Sequence, residues 1–200
     1  VQQEKKRLYF RKSTPPKKIQ KYYRALSMEQ DKRSPHHYFD SVKDVTGKVF
    51  VDIGCAEGYS SLEIVEEAKH IYLFEQDEQW LEAIRATFEP WQDKVTIIQK
   101  YVSDHNSSRE QTLDDFFNNQ TDEHLFLKMD IEGAERHALT GCKNLFQNCQ
   151  KLDFAICTYH LRDDEEVIST FLNKHNCAYI NQKGFFRHRI RSVVMRGSKR

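Results

Sequence analysis

The 200-residue chain has no apolar run approaching the roughly 18–20 residues that a membrane-spanning helix needs, which excludes a helical bilayer span. Its first residues lack the charged–apolar–small order of a secretory leader, and the chain opens on Val1 and not on Met. Net charge is nearly absent, +1 at pH 7, so there is no global electrostatic case for a nucleic-acid partner. The five cysteines, Cys55, Cys142, Cys149, Cys157 and Cys177, form no C-x-x-C pair. That odd, scattered set argues against a zinc site or a disulfide framework and predicts reduced, buried thiols in a cytoplasmic setting, with Cys142 and Cys149 as packing residues. Internal repeats and low-complexity linkers are also missing, and the length suits one domain with an α/β-sized core.

The charge that is present is unevenly placed. Residues 1–24 carry Lys5, Lys6, Arg7, Arg11, Lys12, Lys17, Lys18, Lys21 and Arg24 against Glu4 alone. The C-terminus adds Arg187, Arg189, Arg191, Arg196, Lys199 and Arg200. Solvated ends are the plain reading. The sharper one is a basic lip that attracts an anionic ligand, such as a phosphorylated or acidic glycan. Basic and aromatic residues do not interleave as a single-strand RNA groove would require.

The chain is organised around Val49-Phe50-Val51-Asp52-Ile53-Gly54-Cys55-Ala56-Glu57-Gly58. Its apolar start has the length of a strand buried on both faces, and helical spacing of Leu62, Val65 and Ala68 follows the glycines. A strand, a glycine turn and a helix let backbone N–H groups approach a ligand. A dinucleotide fingerprint needs G-x-G-x-x-G, and Ala56 stands where its middle glycine would be. The looser turn, with Asp52 before the first glycine, resembles motif I of the class I S-adenosylmethionine (AdoMet) methyltransferases. Asp52, Gly54, Cys55, Ala56 and Gly58 are its candidate cofactor residues. The next apolar run, Ile71–Phe74, ends in Glu75, roughly 20 residues on, where an acid can accept hydrogen bonds from a ribose diol. An acid there suits NAD and AdoMet equally.

Residues 1–48 are polar, contain Pro15, Pro16 and Pro35, and offer one helix over Lys17–Leu26 with Ile19, Tyr22, Tyr23 and Leu26 as its stripe. They read as a partly helical extension, a substrate lip or cap, ahead of a binding domain over 49–200. His36 and His37 are adjacent on a loop and stand as candidates for substrate contact only. From residue 49 the pattern predicts strands at Val49–Ile53, Ile71–Phe74, Val95–Gln99, Leu125–Met129, Leu152–Cys157, Ala178–Asn181 and Ser192–Met195. Helices are expected at Tyr59–Ala68, Glu78–Phe88, Thr112–Phe117, Glu135–Phe146 and Asp163–Lys174. This alternation predicts an α/β, Rossmann-like, mostly parallel seven-stranded sheet with helices on both faces. The last two strands have only Gly184 between them, which predicts an antiparallel C-terminal strand. Ligands in such sheets bind outside the carboxyl ends of the strands. Trp80 and Trp91 are expected mainly in packing.

Three carboxylates fall within six residues at the end of a buried strand in Lys128-Met129-Asp130-Ile131-Glu132-Gly133-Ala134-Glu135. Glu135 suits the first turn of a helix and Asp130 could cap it, but Glu132 has no such simple role. The stretch matches the K-x-D-x-E-G-x-E signature of the FkbM family of AdoMet-dependent methyltransferases. Thr112-Leu113-Asp114 matches that family's T-L-D element, and Cys157-Thr158-Tyr159-His160 resembles its strand-end histidine segment. The resemblance spans residues 49–196. It implies a class I fold, AdoMet as cofactor, and O-methylation of a sugar or glycan-like hydroxyl. It also places Val102 and Ser103 beside the adenine and gives Asp130 a part in the cofactor site.

A sugar hydroxyl needs a group to accept its proton. His160 is the expected base, with Asp130 orienting it and Glu132 as a further catalytic candidate. Alternatively Asp130 and His160 belong to a divalent-ion site, Mg²⁺-like, that lowers the hydroxyl's pKa. Two other readings stand beside this one. One is a nucleotide-linked oxidoreductase of NAD type, disfavoured by the missing middle glycine and the lack of a separate substrate domain. The other is a non-catalytic module that keeps the fold.

Overall fold

The computed structural model describes residues 2–3, 6–118, 123–186 and 188–199. Of the basic residues counted above, Lys5, Arg187 and Arg200 lie outside these, as do Val1 and Glu4. The central element is the strand β1, Val49–Ile53, buried throughout. After it come helix α2 (Tyr59–Ile64), β2 (His70–Phe74), α3 (Glu78–Phe88), β3 (Val95–Ile98), α4 (Leu113–Phe117) and β4 (Leu125–Met129). Then follow α5 (Glu135–Thr140), α6 (Lys143–Asn148), β5 (Leu152–Cys157), α7 (Asp164–Lys174), β6 (Ala178–Phe186) and β7 (Arg189–Lys199). A helix α1, Pro16–Glu29, precedes them all.

The sheet order is β6-β7-β5-β4-β1-β2-β3, parallel except that β7 runs antiparallel to both its neighbours. The expected seven-stranded, mostly parallel sheet is therefore present. The order reverses at β1, which opens a crevice at the carboxyl ends of β1 and β4.

Strand alternation divides the core into two layers. Val49, Val51 and Ile53 of β1, with Leu125, Leu127 and Met129 of β4, face the layer that contains α5, α6 and α7. Phe50 and Phe126 face the other layer and stack at 5.3 Å. Leu8, Tyr38, Phe39 and Val45 complete that second layer, so the segment before β1 supplies part of the core. Cys142 and Cys149 are buried in the first layer, and all five cysteines are free thiols.

Three expectations change in detail. The helix expected over Glu135–Phe146 is two helices, broken at Gly141 and Cys142. A Cβ on Gly141 would stand 2.0 Å from the carbonyl oxygen of Ser103, so the chains pass too closely there for a side chain. Asp114 then caps the second piece, accepting from the backbone N–H groups of Asn144 (3.1 Å) and Leu145 (2.7 Å). Gly184 lies within β6 and not in a turn, because the last two strands run much further than their apolar centres. Helix α2 stops at Ile64, short of Ala68. No helix among the described residues is long and apolar enough to cross a membrane.

Candidate active site

A cleft of about 1070 Å³ opens where β1, β2 and β4 end. Its floor is the turn after β1. Gly54 adopts φ +78°, and a Cβ there would meet the carbonyl oxygen of Asp130 at 2.1 Å. The turn packs against the end of β4 so closely that only glycine fits. Ala56 is left-handed as well, at φ +47°. Of the residues expected at a cofactor, Asp52, Gly54, Cys55, Ala56, Glu75, Val102, Ser103 and Asp130 line this cleft. Gly58 does not; it lies beneath, against Phe88.

The register of the parallel pair sets Asp52 beside Lys128 on the same face of the sheet. Their side chains meet at 2.7 Å, and Asp52 is only 1% exposed. Ser61 also donates to Asp52, at 2.6 Å, and Lys128 donates to the Gly54 carbonyl at 2.7 Å. Burial works against the Lys128 ammonium, but Asp52 and Asp130 overcome it and hold the lysine above its ordinary value. Lys128 thus ties the glycine turn to β4. Sequence reasoning passed over it; its signal was a lone lysine inside an apolar strand. Glu75 accepts from the backbone N–H of Ala56 (2.9 Å) and of Asp77 (2.8 Å), which fixes one oxygen on the glycine turn and the other on the start of α3. Burial raises its carboxyl, with those two N–H groups pulling it back.

Asp130 sits at the centre of the second half of the cleft. Tyr38 donates to it at 2.8 Å and Tyr159 at 3.2 Å. His36 Nε2 lies 4.0 Å from Asp130 Oδ2, and its Nδ1 lies 3.8 Å from Glu29. Burial alone would raise the Asp130 carboxyl; Lys128, His36 and the Tyr38 hydrogen bond outweigh it and lower it. Burial also depresses the His36 imidazole, more than Asp130 raises it, so His36 faces the cleft as a neutral ring.

His160 behaves differently. It ends up beside Asp130 (3.4 Å), as its strand-end position suggested, but it approaches from behind. Tyr159 takes the place in the cleft wall, and His160 is not among the residues that line it. This corrects the expectation that both Asp130 and His160 face one pocket. His160 Nδ1 lies 2.9 Å from Glu135, out of line for a hydrogen bond, and Glu135 is fully buried. Burial works against the His160 imidazolium, but Glu135, Asp130 and Glu132 together outweigh it and raise the imidazole above its ordinary value. Glu135 also accepts from the Ile131 N–H at 2.9 Å, a role beyond its place in the first turn of α5. Glu132 adopts φ +56° with its side chain 92% exposed, at the rim of the cleft.

The group Asp130, Glu135 and His160 is compact enough to enclose an ion. Its chemistry does not suit Mg²⁺. That ion demands oxygen ligands and retains several waters, whereas this group offers an imidazole nitrogen and a Glu135 that is wholly enclosed. The expected divalent-ion site is not supported by these residues.

The N-terminal segment forms the remaining wall. Phe10, Tyr22 and Trp80 pack edge-on or stacked at 5.9–6.4 Å, with the Arg11 guanidinium 4.1 Å above Trp80. Trp80 is therefore a cleft residue more than a core one. Several N-terminal cations already have partners: Arg11 meets Asp77 at 2.7 Å, Lys12 meets Glu82, and Lys6 meets Glu66 at 3.9 Å.

These features match a known family. Residues 92–185 match the methyltransferase FkbM domain. The FkbM resemblance holds. A solved FkbM methyltransferase from Methylobacillus flagellatus KT superimposes with a TM-score of 0.61 at 18% identity, covering 76% of this chain and 43% of that one. The chain therefore spans less than half the length of that FkbM protein. Magnesium protoporphyrin IX methyltransferase from Synechocystis PCC 6803, solved with bound SAM, gives a TM-score of 0.54 at 11% identity, covering 79% of this chain and 73% of that one. A putative methyltransferase from Streptococcus mutans, solved in complex with SAH, gives 0.54 at 15% identity, covering 78% and 93%. At these identities the likeness establishes the fold, that of the class I methyltransferases. No curated protein sequence matches the chain. The Lys128–Glu135 signature lies within the matched residues 92–185.

Proposed function

We propose that this FkbM-type chain is an AdoMet-dependent methyltransferase that transfers a methyl group to a sugar or glycan-like hydroxyl. One observation carries the reading: the glycine turn, Glu75, the Val102–Ser103 loop and Asp130 line a single cleft at the switch point of the sheet. The residues fit the cofactor. The turn presents backbone at close range, Glu75 is fixed where a ribose diol would meet it, and the buried oxygens Glu57 Oε2 and Gln76 Oε1 lack partners beside the same cleft. AdoMet, when bound, supplies a methyl group on a sulfonium cation.

The chain's own task is then to position a hydroxyl and move its proton. Tyr38 and Tyr159 hold the ionised Asp130 in place at the acceptor end. His36 is the neutral ring that faces the cleft, and we assign it the acceptor's proton. The resulting imidazolium would lie between Glu29 and Asp130. His160, expected as the base, instead supports Asp130 from outside the cleft lining, with its Nε2 3.4 Å from the carboxylate, and Glu132 closes the rim. The segment before β1, with Phe10, Tyr22 and Lys18 along the wall, is the acceptor lip; the exposed lysines of α1 suit an acidic glycan.

Isothermal calorimetry with AdoMet and, separately, NAD tests the reading. Micromolar AdoMet binding, no NAD heat and no change on adding Mg²⁺ are expected. An AdoMet titration without heat would return the chain to a non-catalytic module, and NAD binding to the oxidoreductase class.

A further inference from the structure

Most carboxylates that border the cleft are committed to partners. Asp52, the acid expected beside a cofactor at the end of β1, is neutralised by Lys128 and capped by Ser61. Glu75 is held by two backbone N–H groups, Asp77 by Arg11, and Asp130 by two tyrosines. Glu57, on the glycine turn itself, is only partly committed: the Tyr22 hydroxyl hydrogen-bonds its carboxyl, but one oxygen is left over. It is 3% exposed, it lines the cleft, and its Oε2 accepts no hydrogen bond.

A buried carboxylate oxygen without a partner is costly, and a fold retains one only where something else uses it. Burial pushes the Glu57 carboxyl up to about 7; a hydrogen bond from its own backbone, Lys128 and the Tyr22 hydroxyl pull it the other way without restoring it. The missing partner must therefore be a donor, and a cationic one would relieve the cost most. We infer that Glu57 is the residue that receives the ammonium group at the amino-acid end of the cofactor, in place of the neutralised Asp52. This rests on the AdoMet reading above. Its location supports that source of the ammonium: Glu57 belongs to the turn between Gly54 and Gly58, next to Ala56, whose N–H is bound by the ribose-side Glu75. Tyr22 of α1 interacts with Glu57, so the N-terminal segment closes over this end of the cleft.

The test uses calorimetry with two stable probes on the whole chain. S-adenosylhomocysteine carries the amino-acid end, and 5′-methylthioadenosine lacks it. E57Q should weaken S-adenosylhomocysteine by about tenfold or more, the scale of one charge-assisted hydrogen bond, and leave methylthioadenosine within about twofold. The ligand-free melting temperature of E57Q should equal or exceed wild type, because an isosteric amide removes a buried charge; this also reports that the variant is folded. E57D, which keeps the charge on a shorter arm, should lose less than E57Q. Equal S-adenosylhomocysteine affinity in E57Q and wild type overturns the inference, as does an equal loss for both probes. Wild type that binds neither probe overturns the cofactor reading itself, an outcome distinct from either.

Discussion

Replacing Lys128 with methionine tests how the signature holds the site together. The variant keeps the length of the side chain and removes the ammonium that meets Asp52 at 2.7 Å and the Gly54 carbonyl at 2.7 Å. Asp52, 1% exposed, would be left as a buried charge answered only by the Ser61 hydroxyl. Breaking one partner of a buried pair costs about 3–5 kcal/mol, well above the value of the pair against a hydrophobic replacement. For a domain of this size that corresponds to a fall of roughly 6–20 °C in Tm. Because the folded lysine is held above its ordinary value, its contribution is complete below that value and disappears only as pH rises past the raised one. The loss in K128M should therefore be the same at about pH 6 and about pH 9. The double variant D52N/K128M removes both charges and should recover at least about 2 kcal/mol of the loss, which urea unfolding of all four proteins would measure as a coupling energy. K128M within about 1 kcal/mol of wild type, or additive single and double variants, would refute the reasoning.

Two further predictions concern the same end of the sheet. G54A must accommodate φ +78° and a Cβ 2.1 Å from the Asp130 carbonyl oxygen, so it should lose about 2–4 kcal/mol in thermal unfolding. A variant with an unchanged melting curve would show that the turn can open without cost. E135Q removes the nearest carboxylate from His160, whose pKa is raised in the folded chain by Glu135, Asp130 and Glu132 against burial. A raised histidine contributes stability in full below its unfolded value and loses it as pH climbs through the folded one. The stability gap between wild type and E135Q should therefore narrow from about pH 6 to about pH 9, read by urea midpoints, and a gap that widens would reverse the direction of that shift.

The fold was legible because its signals are local. The apolar runs of Val49–Ile53 and Leu125–Met129 mark strands buried on both faces whatever surrounds them, and the glycine turn follows from its spacing. Glu75 and Asp130 could be placed at the cleft because strand ends in such sheets share one crevice. What was not legible depends on register and on contacts between distant segments. That Lys128 neutralises Asp52 follows from the pairing of β1 with β4, which places residues 76 positions apart on one face side by side. Which histidine meets the cleft also could not be read from spacing. His160 lies on the strand end the signature indicates, yet Tyr159 takes the wall and His160 turns to the buried Glu135. His36, on a polar loop before the first strand, comes to Asp130 because Tyr38 and Phe39 beside it bury themselves against β1 and β4. The sequence by itself determined the order of the elements and the chemistry available at the strand ends. Only the tertiary structure decided which charges are paired and which remain free, because burial and partnership are properties of the packed chain and of no single segment.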